Sequence, residues 1–164
     1  MASGDTLIVF TALHSAPPAS NFATLDERNT HPVLDFDPAT DETIYFEGVL
    51  PRNYAGGGVT VTLMWMASTA VAGDVVWDVA WERHQDDAFD LDADGFAAAQ
   101  SVTDTCANVS GELSYPTRAF TDGAQMDSVA VGESFRLSVM RDADNGSDTM
   151  AGDAELFKVE IRET

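Results

Sequence analysis

Cysteine, lysine and helical periodicity are all nearly missing from this chain. Cys106 is the only cysteine, so no disulfide can form within the molecule, and 164 residues are enough to be held by a hydrophobic core instead. Nothing in the sequence pairs a histidine with Cys106, and it reads as a small apolar residue at a strand end. Lys158 is the only lysine. Eight Lys plus Arg face 28 Asp plus Glu, for a net charge of −20. Such a surface repels phosphate backbones and anionic bilayers, so neither nucleic acid nor membrane is an expected partner. No apolar run approaches the length that spans a bilayer. The opening "MASGDTLIVFTALHSAPP" has no basic region and only a short apolar run, unlike an export signal.

What the chain does have is period-two alternation. In "VTVTLMW", Val59, Val61, Leu63 and Trp65 share a face. In "VVWDVAWER", Val75, Trp77, Val79 and Trp81 do so, against Val76, Asp78, Ala80 and Glu82. "SFRLSVMR" sets Phe135, Leu137 and Val139 against Arg136, Ser138 and Met140, and "LFKVEIRE" sets Phe157, Val159 and Ile161 against Lys158, Glu160 and Arg162. One buried and one wetted face suits antiparallel sheets. Further strands are expected at 6–11, 31–36, 43–49, 98–105 and 112–121. The sum is about nine strands in one all-β domain, an antiparallel two-sheet sandwich of jelly-roll type spanning 1–164. "AGD" at 72–74 reads as a tight hairpin, Asn145-Gly146 as a reverse turn, and the Ala-rich run after Gly95 as room for one helical turn. The segment at about 12–32, polar and carrying Pro17, Pro18 and Pro32, reads as an irregular arm or long connection. Its apolar points Leu13, Phe22 and Leu25 are candidate contacts with a neighbouring subunit.

Catalytic patterns are lacking. His14, His31 and His84 show no metal-binding spacing, there is no nucleophile elbow, and the three glycines at 56–58 lack the lysine of a phosphate loop. No enzyme activity and no cofactor are expected. "DLDADGFAAAQS" at 90–101 opens like a calcium loop, with Asp90, Asp92 and Asp94 alternating before Gly95. An EF-hand needs a bidentate glutamate at its twelfth position, which is Ser101 here, and its ninth position is Ala98. The three aspartates remain weak metal candidates in a solvated acidic loop. Sugar-binding sandwiches present aromatic platforms. Trp65, Trp77 and Trp81 fall on core parity, while Tyr45, Tyr54, Tyr115 and Phe89 form no evident row.

The stretches "FEGVLPRNYAGGGVTVTLMWMASTAVAGDVVWDVAWER" and "LSVMRDADNGSDTMAGDAELFKVEI" resemble small proteins encoded among bacteriophage structural genes. The resemblance covers about 43–162. It implies a non-enzymatic virion protein, a capsid decoration or head-surface component, assembled in the host cytoplasm and docked on other phage structural proteins. A homo-oligomer, with a trimer favoured, goes with that reading. The alternative is a glycan- or receptor-binding sandwich module of a tail or fibre.

Overall fold

The computed structural model describes residues 4–164. Eleven strands form two antiparallel sheets. They are β1 (Thr6–Thr11), β2 (Ser15–Ala16), β3 (Thr24–Arg28), β4 (His31–Phe36), β5 (Glu42–Val49), β6 (Val59–Ala67), β7 (Asp74–His84), β8 (Gln100–Thr105), β9 (Thr117–Phe120), β10 (Ser134–Arg141) and β11 (Ala154–Glu163). The first sheet runs β3-β4-β11-β6-β9, with β1 also on β11, and the second runs β2-β5-β10-β7-β8. Most connections cross from one sheet to the other, which makes the sandwich. The hairpin expected at 72–74 is one of these crossings, because β6 and β7 lie in different sheets. Gly58 shows how tightly they are folded. Its φ is +91°, and a Cβ there would lie 2.5 Å from the Phe120 carbonyl oxygen.

The alternating residues fill the space between the sheets. Trp65, Trp77 and Trp81 are fully buried, with Phe36, Phe46, Phe120 and Phe135 around them. Cys106 is buried just past the end of β8. Burial raises its thiol pKa, with Asp74 and Asp104 adding to the effect.

Four expectations need correction. The segment 12–32, expected as an irregular arm or long connection, is not irregular throughout. It carries edge strands of both sheets, β2 on β5 and β3 on β4, and these two short strands account for the excess over nine. They were hard to read because an edge strand with one partner needs little apolar alternation. The Ala-rich run after Gly95 is not helical. Backbone bonding to β7 holds it extended, with the Ala97 N–H donating to the Trp81 carbonyl at 2.8 Å. Glu82 sits on the wetted parity yet is 1% exposed. The 85–99 connection folds across that face, bringing Phe96 onto Tyr45, their ring centroids 5.3 Å apart. Finally, Phe157 does not continue the inward row of Val159 and Ile161. Leu156 pairs with Trp65 and Lys158 with Met64, so two steps on β11 match one on β6. This β-bulge turns Phe157 out of the core. It lies at the handover where the partner on the other edge of β11 changes from β4 to β1.

Candidate functional site

The bulge builds a groove. With Phe157 displaced outward, its ring stands on the outer face of the first sheet and meets His31 edge-on at 5.7 Å. Met66 lies on the same face, opposite Glu155 in the ladder. Beside them the β3–β4 hairpin turns on Asn29 and Thr30, with φ of +47° and +66°, the pattern of a type I′ turn. Across the gap runs the 109–113 loop. Together Arg28, Asn29, His31, Met66, Leu113 and Phe157 line a cavity of about 280 Å³, with Gly111 at its edge.

Arg28 is the fixed part of this groove. Its Nη1 donates to the carbonyls of Ala67 and Ser68, each at 3.1 Å, and to Glu155 at 2.6 Å. Its Nη2 donates to Ser110 Oγ at 3.0 Å. Gly111 permits the loop to come this close, since a Cβ there would lie 2.7 Å from Arg28 Nη2. The result is a planar cation held in one orientation beside an apolar floor and an aromatic wall. Such an arrangement receives the apolar face of a small ring while a rigid polar group orients it.

Beneath Arg28 lies an acidic pair. Glu155 faces Asp35 across the β11–β4 ladder. Burial raises the Asp35 pKa to about 7, helped by the charge of Glu155 and a hydrogen bond with Asp26. A carboxyl whose folded pKa lies above its ordinary 3.8 binds its proton more tightly in the folded state. Its contribution therefore destabilises progressively as pH rises from about 4 to about 7, and fully above that. Asp35→Asn should stabilise the protein at pH 8 by about 1 kcal/mol, a figure discounted because the carboxyl is partly exposed. That corresponds to a melting point about 2–4 °C higher, and the difference should vanish near pH 4. A lower melting point for the variant at pH 8 would show that ionised Asp35 is stabilising.

The outer face of the second sheet carries a different cluster. Arg136 lies over the Tyr45 ring at 4.4 Å and the Phe96 ring at 4.9 Å, and its Nη2 donates to Glu82 at 2.8 Å. His84 bridges Glu82 and Ser134, 3.0 Å from each, and its ring packs on Phe89. These contacts clamp the 85–99 connection onto the sheet. Tyr54 is buried, donating to Asp122 at 2.9 Å, and Tyr115 is exposed, so the tyrosines form no continuous platform.

Asp90, Asp92 and Asp94 are exposed on the 85–99 connection. Asp90 accepts the Asp92 N–H and Asp94 accepts the Gly95 N–H, so these carboxylates brace their own loop. Among the described residues the carboxylates that converge closely enough to hold an ion are instead Asp41, Asp142 and Asp144. The charge of Asp41 is the main reason that the Asp144 pKa is raised. Leu13, Phe22 and Leu25 are all exposed: Leu13 lies on the short turn between β1 and β2, Phe22 bridges Thr43, and Leu25 is in the edge strand β3. Of the groove residues, the sequence pointed to His31 only as a histidine without metal-binding spacing, and its alternation put Phe157 in the core. The run Glu155-Leu156-Phe157-Lys158, which breaks strict alternation before Val159, was the one available signal.

No family model matches the chain, and no curated protein matches it. Solved structures do. The CBM22-2 xylan-binding domain of Xyn10C from Paenibacillus barcinonensis superposes with a TM-score of 0.54 at 14% identity, over 92% of each chain. TmCBM27, a carbohydrate-binding module described for specific mannan recognition, gives 0.50 at 6% identity, over 99% of this chain and 100% of its own. The chain has a jelly-roll fold. The two neighbours are a xylan-binding domain and a mannan-recognising carbohydrate-binding module. The likeness to virion components drawn from the sequence therefore finds no support in these comparisons.

Proposed function

We propose that this chain is a non-catalytic glycan-binding module that holds a sugar in the groove between the Asn29-Thr30 turn and the 109–113 loop. The observation that carries this reading is the groove itself, an aromatic wall at Phe157 beside the immobilised guanidinium of Arg28. A pyranose has apolar C–H faces and polar hydroxyl edges. The Phe157 ring suits the first, and Arg28, Asn29 and His31 suit the second. The fold shared with a xylan-binding domain and a mannan-recognising module supports the same reading. Phe157→Ala should weaken binding to soluble plant-type polysaccharides at least roughly tenfold, about 1.4 kcal/mol, in affinity electrophoresis, with little change in the thermal melt. Undiminished binding by that variant would remove the groove from the site. A wild-type protein that bound none of a broad polysaccharide panel would overturn the reading.

The virion reading is the second, and one observation favours it. Leu13, Phe22 and Leu25 are 70%, 42% and 55% exposed, apolar points to which a neighbour can add contacts. Trimers in native mass spectrometry, or the protein at structural copy number in purified virions, would favour docking on other virion subunits over glycan capture.

A further inference from the structure

We infer that the groove selects an anionic glycan, one whose sugar rings carry a carboxylate or another negative group. This inference rests on the glycan-binding reading and names the ligand class of the same site. Its basis is where the scarce cations lie. The chain has only 8 Lys plus Arg against 28 Asp plus Glu, yet Arg28 lines the groove and Lys158 stands against its Phe157 wall.

The same bulge that turns Phe157 outward places Lys158 beside it, with Nζ 4.7 Å from the centroid of the ring that forms the groove wall. Among the described residues, the ion pairs engage Arg28, Arg83, His84, Arg136 and Arg141, and none engages Lys158. Among the described residues the only lysine therefore stands outside the ion pairs, its ammonium set against the ring of the groove wall. Glu155 neutralises one edge of Arg28. Glu27 alternates with Arg28 along β3 and lies on the opposite parity. Glu112, in the loop across the gap, is exposed. Acidic charge gathers on the Arg28 side of the groove, at Glu155, Asp35 and Asp26, while Lys158 supplies positive charge on the Phe157 side.

A net charge of −20 repels any polyanion at long range. At physiological salt that repulsion is screened beyond roughly 8 Å, while an anion seated within contact distance of Lys158 is screened much less. Local selectivity can then prevail over global repulsion at moderate ionic strength. For this reason the test belongs at constant 150 mM salt and not in a salt series, where the two effects oppose each other.

The experiment is calorimetric titration of the full chain at about 150 mM salt with neutral arabinoxylan, glucuronoxylan, polygalacturonate and a sulfated dextran. At least one anionic polymer should bind fivefold or more tighter than arabinoxylan. The uronate and sulfate arms identify which negative group is read. Lys158→Gln should remove that preference, and Lys158→Arg should keep most of it. Equal affinity for neutral and anionic polymers would overturn the anion selectivity and leave the glycan reading standing. A preference that persisted in Lys158→Gln would also overturn it. Binding to none of the four would overturn both.

Discussion

Replacing Arg141 with methionine is expected to cost about 3–5 kcal/mol of folding stability, the range seen when one partner of a buried ion pair is removed. Arg141 is fully buried between the sheets. Its Nε and Nη2 grip the two oxygens of Asp148 at 3.0 and 2.7 Å. The remaining N–H groups donate to the carbonyls of Phe36, Gly152 and Met150. The guanidinium thus ties the 142–153 connection to β4 and β10. Methionine fills similar volume but leaves Asp148 charged and nearly buried, and three carbonyls without their donor. The Val76 N–H still donates to Asp148, which offsets only part of the loss. Arg141→Lys should fail almost as badly, because an ammonium lacks the planar fork that serves Asp148 and the carbonyls together. Adding Asp148→Leu to Arg141→Met should recover part of the loss, since both charges are then gone. Urea unfolding at neutral pH measures all three variants. A loss below about 1 kcal/mol for Arg141→Met, the scale of an exposed pair, would show that the pair is not buried in solution.

The second large effect belongs to the tryptophans. Trp81 packs on Phe135 with centroids 4.6 Å apart and meets Phe120 edge-on at 6.1 Å. Trp77 meets Phe36 at 5.0 Å and Trp65 at 5.9 Å. Truncating either to alanine opens a cavity between sheets that cannot close without moving both, so each should cost about 3–5 kcal/mol. With a domain's whole stability near 5–15 kcal/mol, the double variant should not fold at room temperature. Trp→Phe should be far milder. Among the described residues neither Trp77 nor Trp81 has a hydrogen-bond partner for its indole N–H, so phenylalanine leaves no orphaned group behind. The readout is the midpoint of chemical unfolding, followed by tryptophan fluorescence from the remaining indoles. Near-native stability for Trp81→Ala would mean that the inner faces are wet, against the packing seen here.

How much of this was legible depends on whether strict alternation holds. Parity placed Trp65, Trp77 and Trp81 in the core because all three lie in regular strand. The inward row Phe135, Leu137 and Val139 continues by parity to Arg141, which the structure buries. Its partner Asp148 was not readable, because a loop seven residues on returns through tertiary geometry and not through period. The edge strands β2 and β3 were missed because residues 12–32 bury little and alternate weakly. Phe157 was assigned to the wrong face for a related reason. A one-residue bulge inverts parity locally, and its only trace in the sequence is the adjacent apolar pair Leu156-Phe157, which does not say which of the two faces out. The candidate groove depends on that inversion, so alternation alone could not find it. The His84–Glu82 contact was hidden because the 85–99 connection covers the face from outside.

The most direct measurement is a two-dimensional amide NMR titration of the isotope-labelled chain with soluble oligosaccharides. If the groove is the site, saturable shifts should concentrate at 28–31, around Met66, at 110–113 and at 156–158, while amides around Tyr45, Phe96 and Arg136 on the other sheet stay in place. Saturable shifts centred on that second sheet, or on the edges near Leu13, Phe22 and Leu25 with the groove unmoved, would contradict it.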